Sequence, residues 1–567
     1  MTRARLGALA GVVASLFLCS PASAAVDPGD PVAMLFRVTG VSFEELLATP
    51  EIASLARAGG AGLLVYQASL PARPGGVGRS SPPSGPFQEF FLPPRAFGGV
   101  DGVAEEIARI VQASPQGRLL VIVTSLETSA AMRAAKDELH PIVVAAGAPD
   151  ELFPDTGTPG SVTSDSTRRS GVVIDRDIRS TVSEFIHRPP SEAKVGFPIE
   201  IIPGPPPFEL HERYLAQRRM YVPIGTAGGI YLAIVGLGAI AILALGRRVP
   251  QMPRRVFGWG CLSVAALATG LLAAGHLPEL TYATVIPFVA LVTVFGTLAF
   301  APLEHRDVLL IPAGIGIAVL AYFAVEAILS WTAALTPFVG GSELDGGRFY
   351  GLPNVFIGLL IGASLWIAQR LRTAAGFGLL VGVALFAGLP YLGANLGGGV
   401  SLFAAAGLWL AIRERERFGP WKGLGVFVAV TLLGTALILA AHAISPLETH
   451  VTRFEQQAGG LGGVVEKIGD RLRVGFDLIA RNPFALIPVV GLPIAIAAVL
   501  RPPAALRPSL QRSPAWRDAI LVTLLAGVVA YLVNDSGPAA AGFAFGLGLG
   551  GLLGVSLLSE AGKMGEP

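Results

Sequence analysis

After Tyr221 one pattern recurs to the end of the chain: an apolar run long enough to cross about 30 Å of hydrocarbon, then a short polar turn. Eleven runs can be marked, at roughly 221–246, 256–275, 281–301, 308–331, 352–370, 374–391, 397–413, 423–444, 484–500, 517–534 and 537–558. In lipid such segments satisfy their own backbone only as helices. The chain has 567 residues and is 14% charged, against roughly 25% in a soluble domain. The expectation for 221–558 is therefore an all-α polytopic membrane domain of about 11 transmembrane helices, with 559–567 as a cytoplasmic tail.

The first 25 residues read as a secretory signal. Arg3 and Arg5 precede the apolar stretch "LGALAGVVASLFL", and "PASAA" supplies small residues for cleavage after Ala24 or Ala25. Residues 26–200 are different material. Short apolar runs at 32–38, 61–67, 118–124 and 141–147 alternate with helical patterns, which predicts an α/β domain with a mainly parallel sheet. The two cysteines, Cys19 and Cys261, supply no disulfide framework, so this domain must fold on its apolar core. A Pro-rich tether at 201–220 joins the halves. The net charge of +2 and the lack of a basic block give no reason to expect a nucleic-acid partner.

Arginine placement predicts the sidedness. With the α/β domain exported, alternate connections carry Arg247, Arg248, Arg254 and Arg255; Arg306; Arg370 and Arg372; Arg413, Arg415, Arg417 and Lys422; then Arg501, Arg507, Arg512 and Arg517. These would face the cytosol, and the C-terminus with them. Arg213, Arg218 and Arg219 run against the rule, but a translocated domain of this size crosses largely regardless of such charges.

Four polar clusters then fall on the outer face. They are "RFYGLPN" with Arg348, Tyr350 and Asn354; "LGANLGGG" with Asn395; "THVTRF" with His450 and Arg453; and "NDSG" with Asn534 and Asp535. Each alone reads as turn and cap chemistry. All four on one face point to a pocket, because polar groups at membrane depth are expensive and mark functional paths. Arginine suits a phosphate or carboxylate, and Asp535 could serve as a base, a cation ligand or the partner of Arg348. A surface role is expected for His450. The stretch 460–480 has the apolar and charged faces of an interfacial helix, and Gly542, Gly546, Gly550 and Gly554 form a stripe that permits close helix packing.

The run "SVTSDSTRRSGVVIDRDIRSTVSEFI" at 161–186, with "FRVTGVSFEELL" at 36–47, resembles alkaline-phosphatase-superfamily domains found in bacterial polytopic membrane proteins. "GRFYGLPN", "LGANLGGG", "THVTRF" and "VNDSG" extend that resemblance into the apolar half. It implies an alkaline-phosphatase-like core, truncated. Catalytic members hold two metal ions with Asp and His ligands. At the matching strand ends this chain has Thr39–Gly40 and Ser125–Leu126. Asp165, Asp175, Asp177, His140 and His187 do not restore such a set, so the resemblance implies a non-catalytic domain, with no metal and no cofactor.

The functional expectation is a multi-pass cell-envelope protein whose outward-facing pocket binds a phosphorylated or lipid-linked ligand, with membrane lipids as its other partners. Two alternatives belong to other classes. One is a transporter of a small anionic or lipid-linked solute, for which Glu326, read as lying mid-helix, is the internal polar group. The other is an enzyme acting on a lipid-linked phosphate with Asp535 or His450 as base. The oligomeric state is not legible.

Overall fold

A computed structural model describes residues 31–66, 86–114, 117–128, 130–135, 137–187, 196–340, 342, 344, 349–445, 486–534 and 537–563. The chain divides into two compact units, Met1–His211 and Glu212–Pro567. The signal segment, Cys19, Arg348, His450, Arg453, Asp535 and the stretch 460–480 lie outside the described residues.

The first unit is built on one eight-stranded sheet. In chain order its elements are β1 (Val32–Thr39), α1 (Phe43–Leu47), α2 (Pro50–Ala58), β2 (Gly60–Val65), β3 (Phe87–Leu92), α3 (Val100–Gln112), β4 (Leu119–Glu127), α4 (Ala130–Ala135), β5 (His140–Gly147), β6 (Gly160–Thr163), β7 (Val172–Ile174), α5 (Asp175–Phe185) and β8 (Glu200–Ile202). The strand order is β3-β1-β4-β5-β2-β6-β8, with β7 beside β2. The sheet is mixed rather than mainly parallel. β1 pairs in parallel with β3 and β4, and β2 in parallel with β6 and β7, but β5 runs antiparallel between β4 and β2, and β8 antiparallel to β6. The apolar run at 141–147 shows that a strand is buried and says nothing about its direction.

Alternation along β1 divides the core. Met34, Phe36 and Val38 pack with Ile52 and Leu55 of α2 and with Val103, Ile107 and Val111 of α3. Ala33 and Leu35 face the other way, toward Ile178 and Val182 of α5. Helices thus cover both faces, as buried parallel strands require. Residues 200–202, read as part of a tether, add the strand β8.

Helices continue with α6 (Phe208–Leu245), α7 (Gln251–Leu262), α8 (Val264–Ala273), α9 (Tyr282–Leu298), α10 (Leu310–Ile328), α11 (Ile357–Ala368), α12 (Thr373–Gly388), α13 (Leu396–Arg413), α14 (Arg415–Ile444), α15 (Leu486–Leu500), α16 (Arg507–Arg512), α17 (Pro514–Val533) and α18 (Gly537–Lys563). All eleven apolar runs are helical, but among the described residues seven are long and apolar enough to cross a membrane. The pair α7–α8, bent by 46°, makes an eighth when taken as one span. The helices within 354–368, 373–388 and 486–500 are shorter. In α11 all but one residue is buried; a helix enclosed by its neighbours meets no lipid and need not span it. The outward faces of α6, α9 and α14 are apolar, with Leu237, Phe295 and Leu433 all exposed. Such surfaces on long apolar helices are those of a multi-pass membrane protein.

The glycine stripe on α18 packs against α7. A Cβ at Gly550 would lie 2.6 Å from the Cys261 carbonyl oxygen, and one at Gly554 2.9 Å from that of Gly258.

Candidate functional site

The two ends of the helical unit differ in chemistry. One end is held by arginine–carboxylate pairs: Arg254 with Glu560, Arg255 with Glu304 at 3.4 Å, Arg370 with Asp307 at 2.8 Å, and Arg413 and Arg415 with Asp518 at 3.3 and 3.2 Å. Each expected cytosolic connection from 246 to 422 contributes to these pairs, and Arg501 and Arg507 flank the link to α17 at the same end.

The opposite end is held by asparagines. Asn395 is fully buried and caps α13: its Oδ1 accepts from the Gly398 amide at 2.8 Å, and its backbone oxygen accepts from Gly399 at 2.9 Å. Its Nδ2 donates to the Leu352 carbonyl and to Asn354 Oδ1, both at 2.9 Å. One side chain therefore joins the start of α13 to the turn that opens α11. The approach is close at Gly351, whose φ is +84° and whose Cβ, if present, would lie 2.3 Å from the Gly393 carbonyl oxygen. Asn534 reaches the same helix start from α17. Its Nδ2 donates to Ser401 Oγ at 3.1 Å and to the Ala530 carbonyl at 2.9 Å, while its buried Oδ1 has no hydrogen-bond partner.

Of the residues marked from the sequence, Asn354 and Asn395 meet directly, and Asn534 joins them through Ser401, whose hydroxyl donates to the Gly397 carbonyl at 2.8 Å. Tyr350 is buried nearby in sequence. Most of the amide groups in this cluster are spent on backbone and on one another, so the cap-and-turn chemistry and the gathering of the clusters are both present.

Sequence reasoning missed one group at this end and misplaced another. His442 of α14 is fully buried and hydrogen-bonds the Gly388 carbonyl oxygen at 2.9 Å. Glu326 does not lie mid-helix; α10 ends at Ile328, because Ser330 and Trp331 adopt left-handed backbone with φ of +55° and +60°. Its buried carboxylate bonds His276 Nε2. The left-handed turn drives Trp331 inward, where its Nε1 donates to the Leu392 carbonyl at 3.0 Å. Ala394, in the turn held by Asn395, is also left-handed at +47°. Each such residue costs of order 1–3 kcal/mol, a strain that collects at working sites. Beside this turn runs a groove of about 360 Å³ lined by Leu389, Pro390, Tyr391, Leu392, Ala441, Ile444 and Ser445.

In the first unit, the serines of the "TSDST" motif bond one buried carboxylate. Asp177 is buried in the first turn of α5 and accepts from Ser164 Oγ at 2.6 Å, Ser166 Oγ at 2.5 Å, and the amides of Ile174 and Phe197 at 3.0 and 2.9 Å. Burial pushes its carboxyl above the ordinary value, and these donors oppose the rise. Tyr66 OH donates to the Ser125 carbonyl at 3.0 Å, and its ring meets that of His140 edge-on at 4.9 Å. Burial pulls His140 down to about 4. His211, at the head of α6, is bonded at both ring nitrogens, Nδ1 to Glu44 at 2.8 Å and Nε2 to Asp137 at 2.9 Å. Burial opposes its charge, but Asp137 and then Glu44 carry its pKa above the ordinary histidine value. Among the described residues no three His, Cys, Asp or Glu side chains are grouped to hold a metal.

No protein-family model, curated protein or solved structure matches this chain.

Proposed function

We propose that the chain is a multi-pass protein of the cell envelope that holds a phosphorylated or lipid-linked ligand at the asparagine end of its helical unit, facing out of the cell. The observation that carries this reading is an adjacency. The turn at 389–395 has the apolar groove on one side and the Asn395–Asn354 clasp on the other. A lipid-linked ligand has the same two-part character, a hydrocarbon chain for the groove and a polar head for the turns that the asparagines hold, where Arg348 and Arg453 would supply charge. Strained backbone at Ser330, Trp331 and Ala394 supports a working role for this end.

The exported α/β unit, in this reading, is a phosphatase-like domain without catalysis. Ser164 and Ser166 both bond Asp177, and Thr39 at the end of β1 and Ser125 near the end of β4 stand where the resemblance would place metal-binding residues. The transporter reading keeps support from one feature, the buried Glu326 with its His276 partner.

The test is thermal unfolding of the purified full chain with a polyprenyl phosphate, the matching polyprenol, or inorganic phosphate. Stabilisation by the polyprenyl phosphate above the other two, reduced in Arg348→Ala, is expected. Equal response to polyprenol and polyprenyl phosphate would remove the phosphate from the proposal, and no response to any would remove the site.

A further inference from the structure

Glu326 is the buried carboxylate of this end, 1% exposed. Its Oε1 bonds His276 Nε2, and its Oε2 lies 3.4 Å from the Ala333 amide. His276 stands in the turn after α8 with about one third of its side chain exposed, so the pair has one member in contact with solvent and one sealed inside. One helical turn earlier on α10 the Tyr322 hydroxyl is buried and interacts with the same carboxylate. The other charged groups nearby sit on the His276 side. Arg213 of α6 donates to the Gly275 and Leu277 carbonyls at 2.6 Å and to that of Pro278 at 3.1 Å, and Glu279 follows in the same turn. Among the described residues His276 is the basic side chain that bonds Glu326.

The pair also touches a strained turn. The Glu326 backbone oxygen accepts from the amide of Trp331 at 2.8 Å, and its Oε2 faces the amide of Ala333, so it contacts the turn at and just after the left-handed residues Ser330 and Trp331. Trp331 packs between Phe323 and Phe386, with ring centroids at 6.2 and 6.1 Å, and its indole holds the Leu392 carbonyl. Ionisable groups buried in membrane segments are expensive to keep and mark ion or proton paths.

We propose that His276 and Glu326 form a proton-binding site whose occupancy sets the seat of Trp331 and, through the Leu392 carbonyl, the turn held by Asn395. The ligand is the proton. In the paired state a protonated imidazolium faces a carboxylate. A proton arriving through His276 passes to Glu326, the carboxylate becomes a carboxylic acid, and the ring is reprotonated from solvent. The Ala333 amide then faces a neutral acid in place of an anionic acceptor, and the left-handed residues before it are free to relax. This does not depend on which ligand the asparagine cluster receives.

The test uses the full chain in lipid nanodiscs. Infrared difference spectra are recorded from about pH 8 down to about pH 3, a range that spans the ordinary histidine and carboxylate values. A carboxylic-acid carbonyl band growing on acidification is expected, absent in Glu326→Gln and with its midpoint moved upward in His276→Gln. Tryptophan emission should change with the same midpoint, and that component should vanish in Trp331→Phe. A band that persists in Glu326→Gln, or no band in that range, overturns the site. An unmoved midpoint in His276→Gln overturns the pairing, and emission that ignores the midpoint overturns the coupling. If Glu326→Gln does not fold, the midpoint shift in His276→Gln still decides.

Discussion

Asn395 donates its side-chain amide to Asn354 Oδ1 across 2.9 Å, and so ties together two helix starts separated by forty-one positions in the chain. A helix cap alone would not need this bond. Aspartate caps as well as asparagine, but an aspartate here would set a carboxylate against the Leu352 carbonyl and Asn354 Oδ1. Asn395→Asp is therefore expected to cost more than Asn395→Ser, by about 2 kcal/mol, the order of a buried acceptor left unsatisfied. Equal midpoints for the two variants in denaturant unfolding would reduce Asn395 to a simple cap.

His140 gives the α/β unit an acid-side weakness. Its folded value is about 4 against an ordinary 6.5. The folded state keeps the ring neutral while the unfolded chain takes up a proton, so stability is full above 6.5 and falls as the pH drops from there toward 4. The loss should approach about 3 kcal/mol. His140→Gln should flatten that limb in thermal unfolding followed against pH; an unchanged limb would acquit the histidine.

His211 acts with the opposite sign. Its value is raised by Asp137 and Glu44, so its contribution is present below the ordinary value of 6.5 and is lost as the pH rises through the folded value. Protection from hydrogen exchange at the start of α6, with the intrinsic rise of exchange with pH divided out, should fall on the alkaline side in the wild type. In His211→Asn it should be low at every pH.

Gly550 and Gly546 give a paired test of the helix seam. A Cβ at Gly550 would come 2.6 Å from a backbone oxygen, which cannot yield, while one at Gly546 would sit 3.4 Å from a Val264 methyl. Gly550→Ala should lower the unfolding midpoint by the equivalent of about 1–3 kcal/mol, as overpacking does, and Gly546→Ala should change it little. Matching losses would mean that the close approach to the Cys261 carbonyl does not set the cost at Gly550.

Much of this end of the molecule can be read in the sequence, because caps and turns are local. Asn395 before Leu-Gly-Gly and Asn534 after an apolar run announce helix boundaries wherever they occur. The His276–Glu326 pair is not local. Its members are fifty positions apart, and their meeting depends on α10 stopping at Ile328. Ser330 and Trp331 stop it in a backbone region that favours glycine, which residue type does not reveal. The same limit explains the sheet. The "PIVVAAG" run marks β5 as buried but carries no sign of its antiparallel direction. It also explains the span count, since the length of an apolar run does not tell an enclosed helix such as α11 from one that meets lipid.

The central claim is that the asparagine end opens to the exterior and the arginine end to the cytosol. It is tested most directly with single cysteines in a Cys19→Ala, Cys261→Ala background, at Tyr391 and at Arg417, both exposed and at opposite ends. The account predicts that a membrane-impermeant maleimide labels Tyr391→Cys in intact cells and reaches Arg417→Cys only after the membrane is opened. Labelling of Arg417→Cys in intact cells, with Tyr391→Cys protected, would contradict it.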